Sequence, residues 1–135
     1  MNFKKYIDLP YKNLGRDKDG LDCFGLVRKI FLDVRNIELP DYTELQYDKE
    51  WYNKEEDHII NNIDEHWFKV DPPFKVFDCF IFLDVGCNSK IANHIGMYIG
   101  DGKFIHILEN SKSRVDRLEG YFSRKLYEAR RYKEM

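Results

Sequence analysis

The clearest pattern of apolar positions begins at Cys23 and has the period of an α-helix. From there to Val34, apolar residues recur three and four positions apart, which places them on one face of a helix. Asp22 stands where an N-cap residue belongs, and Asn36 is a residue that often ends a helix. The pattern therefore predicts an amphipathic helix that begins at Cys23 and ends before Asn36.

Beyond this helix, the pattern predicts a second helix and then several strands. Ile59, Ile60, Ile63 and Trp67 would face inward on a helix over residues 54–67. Dense apolar runs and a Gly-Asp-Gly turn then predict strands over residues 76–85, 91–99, 103–108 and 126–132. This order predicts an α+β fold, with N-terminal helices packed on a central antiparallel β-sheet.

Composition and charge narrow the class of protein. The chain has 135 residues, of which 43% are apolar, so we expect one domain spanning residues 1–135. The net charge of −2 argues against sequence-independent nucleic-acid binding. No apolar run is long enough to span a membrane, and none follows the N-terminal lysines as in a secretory signal. We therefore expect a protein made in the cytoplasm, with Cys23, Cys79 and Cys87 as thiols.

Cys23 is the first candidate for chemistry, because it lies at the start of the predicted helix. The unpaired N–H groups and partial positive charge of a helix N-terminus stabilise a thiolate. The same N–H groups can stabilise the oxyanion that forms when a thiolate attacks a carbonyl. The alternative is a buried cysteine that serves only as a small apolar side chain.

His94 and His106 lie on the two strands of the predicted hairpin. A three-residue loop would pair Ile99 with Lys103 and make the two histidines diagonal neighbours on one face. A two-residue turn would pair Gly100 with Lys103 and put them on opposite faces, unless a bulge restores the first register. Each histidine taken alone is more simply a hydrogen-bonded, half-buried sheet residue.

Taken together, Cys23, His94 and His106 fit the logic of a catalytic triad. A nucleophilic cysteine needs a base within hydrogen-bond reach, and the base needs a third group to orient it. Gly96, on the face of His94, leaves a gap that a neighbouring side chain could enter. A zinc site is the other use of such residues, but these cysteines and histidines lack the paired spacing of structural zinc sites. We therefore predict no metal.

Other charged and polar residues have simpler interpretations. His58 and His66 lie among charged residues and are interpreted as solvated. The C-terminal third is basic, which is usually a solvated face and less often a contact with an anionic partner. Its cationic residues are Arg114, Arg117, Arg124, Lys125, Arg130, Arg131 and Lys133.

Several segments resemble the NlpC/P60 family of cell-wall peptidases. Residues 22–27 (Asp-Cys-Phe-Gly-Leu-Val) resemble the Asp-Cys-Ser-Gly-Leu-Val nucleophile motif, and residues 93–102 resemble the His-Val-Gly-Ile-Tyr strand and its glycine turn. His106 follows His94 by 12 residues, where the family has its third, polar residue. Tyr11 precedes Cys23 by 12 residues and matches a family tyrosine placed at the oxyanion site. Residues 76–82 resemble the family's Pro-Gly-Asp-leading strand, with the aspartate and the apolar run kept.

Two departures from the family pattern bear on the function. Phe24 replaces the serine that follows the nucleophile, and the Pro-Gly before Asp78 is absent. Phe24 and residues 113–118 resemble the branch found in bacteriophage tail proteins, in which the particle would deliver an enzyme that lacks a signal peptide. Partners would then include other phage tail proteins.

The resemblance implies a papain-like fold and hydrolysis of an amide in a peptidoglycan stem peptide, between D-glutamate and a diamino acid. Cys23 would be the nucleophile, His94 its base and His106 the residue that orients His94. Tyr11 and Asp22 would support the oxyanion site, and no cofactor is implied. The alternatives are a structural tail-assembly protein with little or no activity, and an amidase, transpeptidase or acyltransferase on the same scaffold.

Overall fold

The computed structural model describes residues 2–12, 15–17, 20–39, 67–83, 92–109 and 111–133. The strands within these ranges are β1 (Arg16–Asp17), β2 (Gly20–Leu21), β3 (Trp67–Val70), β4 (Cys79–Leu83), β5 (Ala92–Gly100), β6 (Lys103–His106), β7 (Arg114–Arg117) and β8 (Leu126–Tyr132). The helices are a 3₁₀ turn (Lys4–Tyr6), α1 (Cys23–Ile30), a π-helical turn (Phe31–Arg35) and α2 (Tyr121–Lys125).

Strands β3 to β8 form one antiparallel sheet in the order β3-β8-β4-β5-β6-β7. Strands β4 to β7 follow each other both in sequence and in space, as adjacent antiparallel strands commonly do. β8 returns to lie between β3 and β4, so the last strand of the chain is an interior strand of the sheet. Strands β1 and β2 form a separate small pair just before α1. The predicted α+β architecture with a central antiparallel sheet is confirmed.

Both faces of the sheet are covered, which explains the continuous apolar run in β4. Cys79 and Ile81 face the cluster that includes the buried side of α1, whereas Phe80 and Phe82 face the cluster that includes α2. All four side chains have no exposed surface. A strand buried on both faces loses the alternation of apolar and polar residues that marks a half-exposed strand.

Helix α1 begins where the sequence predicts, and the helical structure that continues from it ends before Asn36, also as predicted. The Asp22 carboxylate accepts a hydrogen bond from the Gly25 N–H at 2.7 Å, as an N-cap residue does. Helical structure continues through the π-helical turn to Asn36, whose φ of 55° and ψ of 34° are left-handed. Asparagine tolerates this conformation better than most residues, so it ends the helix at little cost.

Two predicted elements differ from the structure. Trp67 was predicted to end a helix, but it is the first residue of β3, whose pairing with β8 determines its conformation. β4 begins only at Cys79, because Val76 and Phe77 form a turn in which Phe77 has a φ of 81°. Residues 54–66, where the second helix is predicted, lie outside the described residues, as do residues 84, 85 and 91 of the predicted strands.

Candidate active site

The structure places Cys23 at the first position of α1, where it is a half-buried thiol. The helix packs against β5 and β6, the strands that carry His94 and His106. Leu26, Val27 and Ile30 bury that side of the helix. The start of the helix is therefore fixed both by the Asp22 cap and by packing on the sheet.

Tyr11 lies beside the residues that lead into Cys23. Its backbone forms a bridge with Leu21, which comes two residues before Cys23. The N-terminal segment is bound to the sheet through the buried Ser113, whose hydroxyl donates to the Tyr6 carbonyl at 2.5 Å and accepts from the Leu9 N–H at 2.9 Å. Tyr11 is thus brought near the residues that lead into Cys23 by contacts between residues about 100 positions apart in the chain.

The β5–β6 hairpin combines the two registers that the sequence left open. Asp101 and Gly102 form a two-residue turn with φ of 56° and 72°, and Gly100 pairs with Lys103. The register then shifts between Tyr98 and Gly100, so that Tyr98 pairs with Phe104. This bulge restores the alignment that the three-residue loop would give. His94 and His106 consequently lie on the same face.

His94 and His106 form a direct hydrogen bond. The Nε2 atom of His94 lies 2.8 Å from the Nδ1 atom of His106. The two side chains are buried, with 4% and 0% of their surfaces exposed. Aromatic rings surround them: Phe82 lies 5.7 Å from the His94 ring, and Phe104 and Phe122 lie 4.5 and 5.0 Å from the His106 ring. The pair is therefore shielded from water on the side of these rings.

Asp116 extends this hydrogen-bonded chain, and the sequence analysis did not identify it as a site residue. Its Oδ2 atom lies 2.6 Å from Nε2 of His106 and 2.7 Å from Nε of Arg114. Strand β7 pairs with β6 so that Arg114 is opposite His106 and Asp116 is its diagonal neighbour. The sequence Arg-Val-Asp-Arg, which follows the strand that carries His106, could have indicated a further strand with Asp116 on it. The pairing of these two strands was not predicted.

Burial determines the protonation states of the two histidines. The pKa of His94 is well below its ordinary value because of burial, and the charges of His106 and Arg114 lower it further. Burial also lowers the pKa of His106, and the hydrogen bond and charge of Asp116 offset this only in part. Both rings are therefore neutral at pH 7 when no proton is transferred to them.

The Asp116 carboxyl group remains ionised. Burial alone would raise its pKa, but the hydrogen bonds and charges of His106 and Arg114 outweigh this effect and lower the pKa. The site therefore contains two neutral imidazoles beside a carboxylate and a guanidinium.

The remaining candidate residues lie outside this chain of contacts. Cys79 is fully buried, and burial together with the nearby Asp78 carboxylate raises its thiol pKa well above the ordinary value. Like Arg114, which binds Asp116, the C-terminal cations Arg130 and Arg131 are paired rather than solvated, Arg130 with Glu128 and Arg131 with Asp78. In the described part of the chain, no three His, Cys, Asp or Glu side chains are grouped as metal ligands.

No helix in the described ranges has both the length and the apolar content needed to cross a membrane.

A helix with a cysteine at its capped N-terminus, packed on an antiparallel sheet that carries a histidine pair, is consistent with the class of papain-like α+β proteins. The chain matches the sequence model of the NlpC/P60 family over residues 8–131, and it therefore belongs to the NlpC/P60 family. The resemblance noted in the sequence is confirmed at the level of the family. The phage tail branch is not addressed by this match.

Individual relatives agree with this assignment. A Haemophilus influenzae protein named "probable endopeptidase NlpC homolog" is 25% identical over 130 residues, covering 96% of this chain and 58% of the relative. An NlpC/P60 family protein from Bacillus cereus has a similar structure, with a TM-score of 0.67, 23% identity, and coverage of 96% of this chain and 37% of that one. The NlpC/p60 domain of the peptidoglycan hydrolase SagA has a TM-score of 0.59, 21% identity, and coverage of 93% and 89%.

The chain thus spans only part of the first two relatives and nearly all of the SagA domain.

Proposed function

We propose that this protein is a cysteine peptidase that hydrolyses an amide bond in peptidoglycan stem peptides, between the side-chain carboxyl of D-glutamate and a diamino acid. Membership of the NlpC/P60 family supports a hydrolase, and relatives named as an endopeptidase and a peptidoglycan hydrolase support this substrate. The observation that carries the proposal is the 2.8 Å hydrogen bond between His94 and His106. A base oriented by a second side chain is what a nucleophilic cysteine requires.

In the proposed reaction, the Cys23 thiol transfers its proton to His94, and the thiolate attacks the amide carbonyl carbon. The carbonyl oxygen becomes an oxyanion, for which the N–H of Cys23 and the hydroxyl of Tyr11 are the proposed donors. Collapse breaks the C–N bond, and His94 returns the proton to the leaving amine. A thioester remains on Cys23.

Water then completes the cycle. His94 removes a proton from a water molecule as the water oxygen attacks the thioester carbonyl. The C–S bond breaks, a carboxylic acid leaves, and the proton on His94 returns to the Cys23 sulfur. A base of this kind typically contributes about 10²- to 10⁴-fold to the rate.

The test is incubation of purified protein with synthetic stem peptides, with the products read by mass spectrometry. The wild type should release the amine and the acid of one amide bond, and Cys23→Ala should not. Cys79→Ala is the matched control, because it removes a thiol that is fully buried and held protonated. This variant should cleave at the wild-type rate.

Other outcomes would overturn parts of the proposal. Cleavage by Cys23→Ala would exclude Cys23 as the nucleophile. Cleavage at the amide between sugar and peptide would make the protein an amidase, and transfer to an added amine would make it a transpeptidase or acyltransferase. No reaction by a folded wild type would favour the structural role in a phage tail.

Delivery by a phage particle is also proposed, on the basis of Phe24 and residues 113–118. Ser113 anchors the N-terminal segment, and Arg114–Arg117 forms β7 with Asp116 at the histidine pair. These contacts with the N-terminal segment and the histidine pair therefore explain much of the sequence of residues 113–118 without a role in a phage tail. Mass spectrometry of purified particles from a producing strain would detect the protein if the proposal is right.

A further inference from the structure

Asp116 lies at the end of the hydrogen-bonded chain that begins at His94. Its Oδ2 atom is bonded by both Nε2 of His106 and Nε of Arg114. A carboxylate bonded by a guanidinium is ionised and can only accept hydrogen bonds. The proton in the 2.6 Å contact therefore belongs to Nε2 of His106.

This assignment fixes the next contact. A neutral imidazole with its proton on Nε2 has a bare Nδ1, which can only accept. The 2.8 Å contact between the histidines is therefore a bond that Nε2–H of His94 donates to Nδ1 of His106. The direction of this bond is the same whether His94 is neutral or protonated. Nδ1 is consequently the one ring atom of His94 that can gain and lose a proton.

We propose that Asp116 is a positioning residue, which acts through His106 to hold the proton on Nε2 of His94 and to keep Nδ1 of His94 as the acceptor of the Cys23 proton. This inference rests on the proposed function, because it presupposes a thiol that His94 deprotonates. The carboxylate charge also stabilises the imidazolium that forms on His94. An aspartate has this role directly behind the histidine in Ser-His-Asp enzymes; here a second imidazole lies between them.

The surroundings of His106 explain why the carboxylate matters. The ring is fully buried, and Phe104 and Phe122 pack against it. Aromatic rings do not replace a carboxylate as an acceptor for a buried N–H. Without Asp116, the proton of His106 is expected to move to Nδ1 and bond to Nε2 of His94. The proton of His94 would then lie on Nδ1, where it blocks the acceptance of a proton from Cys23.

The first experiment determines the tautomers of His94 and His106 directly. Long-range ¹H–¹⁵N correlation spectra of uniformly labelled protein report which ring nitrogen carries the proton, and His→Asn variants assign the signals. In the wild type, His106 should be protonated on Nε2 and bare on Nδ1. In Asp116→Ala, the Nδ1–H form of His106 should appear.

The second experiment measures the reactivity of the Cys23 thiol. The rate of alkylation of Cys23 by iodoacetamide is followed from pH 5 to pH 9 by mass spectrometry of its peptide. Asp116→Ala should shift the pH profile and lower cleavage of stem peptides by up to roughly 10²-fold, the lower end of what a general base contributes. Asp116→Asn keeps an acceptor oxygen but lacks the charge, so it should fall between the wild type and Asp116→Ala.

Asp101→Asn is the matched control, because Asp101 is exposed in the hairpin turn and asparagine tolerates its φ of 56°. This variant should leave both readouts unchanged.

The outcomes separate this inference from the function on which it rests. A proton on Nδ1 of His106 in the wild type overturns the inference, and it does so even if Asp116→Ala fails to fold. Wild-type tautomers together with a wild-type alkylation profile in Asp116→Ala or Asp116→Asn also overturn it. If the wild type and His94→Asn have the same alkylation profile, the proposed thiol–imidazole pair is wrong, and any Nε2–H tautomer of His106 reflects a structural bond only.

Discussion

Replacement of Gly96 by alanine tests how tightly the sheet packs around the histidine pair. A Cβ atom at this position would lie 2.8 Å from Cδ2 of Phe104, 3.3 Å from Cβ of His106 and 3.3 Å from the carbonyl oxygen of Ile105. Ordinary contact begins at 3.4 Å, so the Phe104 ring would have to move by about 0.6 Å. Its freedom to move is small, because rings pack around it at centroid distances from 4.5 to 6.0 Å; they belong to Phe80, Phe82, His106 and Phe122.

The expected magnitude follows from two opposing effects. Overpacking a well-packed core costs about 1–3 kcal/mol. Removing a glycine from a strand recovers about 0.5–1 kcal/mol of conformational entropy. We therefore expect Gly96→Ala to lower the free energy of unfolding by about 1–2 kcal/mol, and the melting temperature by roughly 4–7 °C for a chain of this length.

Urea denaturation followed by tryptophan fluorescence measures this change. Phe104→Leu removes the ring atom closest to the new methyl group, so the pair of substitutions forms a double-mutant cycle. We expect Gly96→Ala to be less destabilising in the Phe104→Leu background, by about 1 kcal/mol. Equal or greater stability of Gly96→Ala, or a coupling free energy near zero, would refute the argument that Phe104 limits the space beside His106.

Three further predictions concern the ion pair in the sheet, the helix cap and the buried histidines. Asp78→Ala leaves the partly exposed Arg131 guanidinium, which Asp78 binds at 2.7 and 2.8 Å, without its partner. This substitution should lower the free energy of unfolding by about 1.5–3 kcal/mol. Asp22→Ala removes the N-cap and should cost about 1 kcal/mol, with both values measured by urea denaturation. The pKa values of His94 and His106 are lowered on folding, so the unfolded chain binds more protons than the folded chain below about pH 6.5. The free energy of unfolding should therefore fall as the pH drops from 7 to 5, by up to about 1.4 kcal/mol per pH unit for each histidine.

Each of these predictions has a control and a contrary result. Arg131→Met in the Asp78→Ala background should recover part of the lost stability, and no recovery would argue against an unpaired charge as the cause. Asp22→Asn should retain most of the cap, so a loss equal to that of Asp22→Ala would contradict the capping role. His94→Asn should reduce the pH dependence of unfolding between pH 7 and 5, and an unchanged slope would show that His94 is not the buried neutral group.

Local signals in the chain were sufficient to predict α1 and the hairpin. The cap at Asp22, the apolar period from Cys23 and the left-handed residue at Asn36 depend on contacts within a few residues, so they can be identified without a fold. The turn at Asp101 and Gly102 has a local cause as well, since both residues tolerate positive φ. The triad candidates followed from these elements and from the resemblance, because the motifs that carry Cys23 and His94 are themselves local.

The pairing of distant segments could not be predicted from the chain alone. The bulge that brings His94 and His106 to one face shifts the register by a single residue, and the hydrophobic pattern of the hairpin fits either register. Asp116 reaches His106 only because β7 pairs with β6 in one alignment. Local periodicity reports which face of an element is buried, whereas strand register and side-chain contacts depend on packing across the whole sheet.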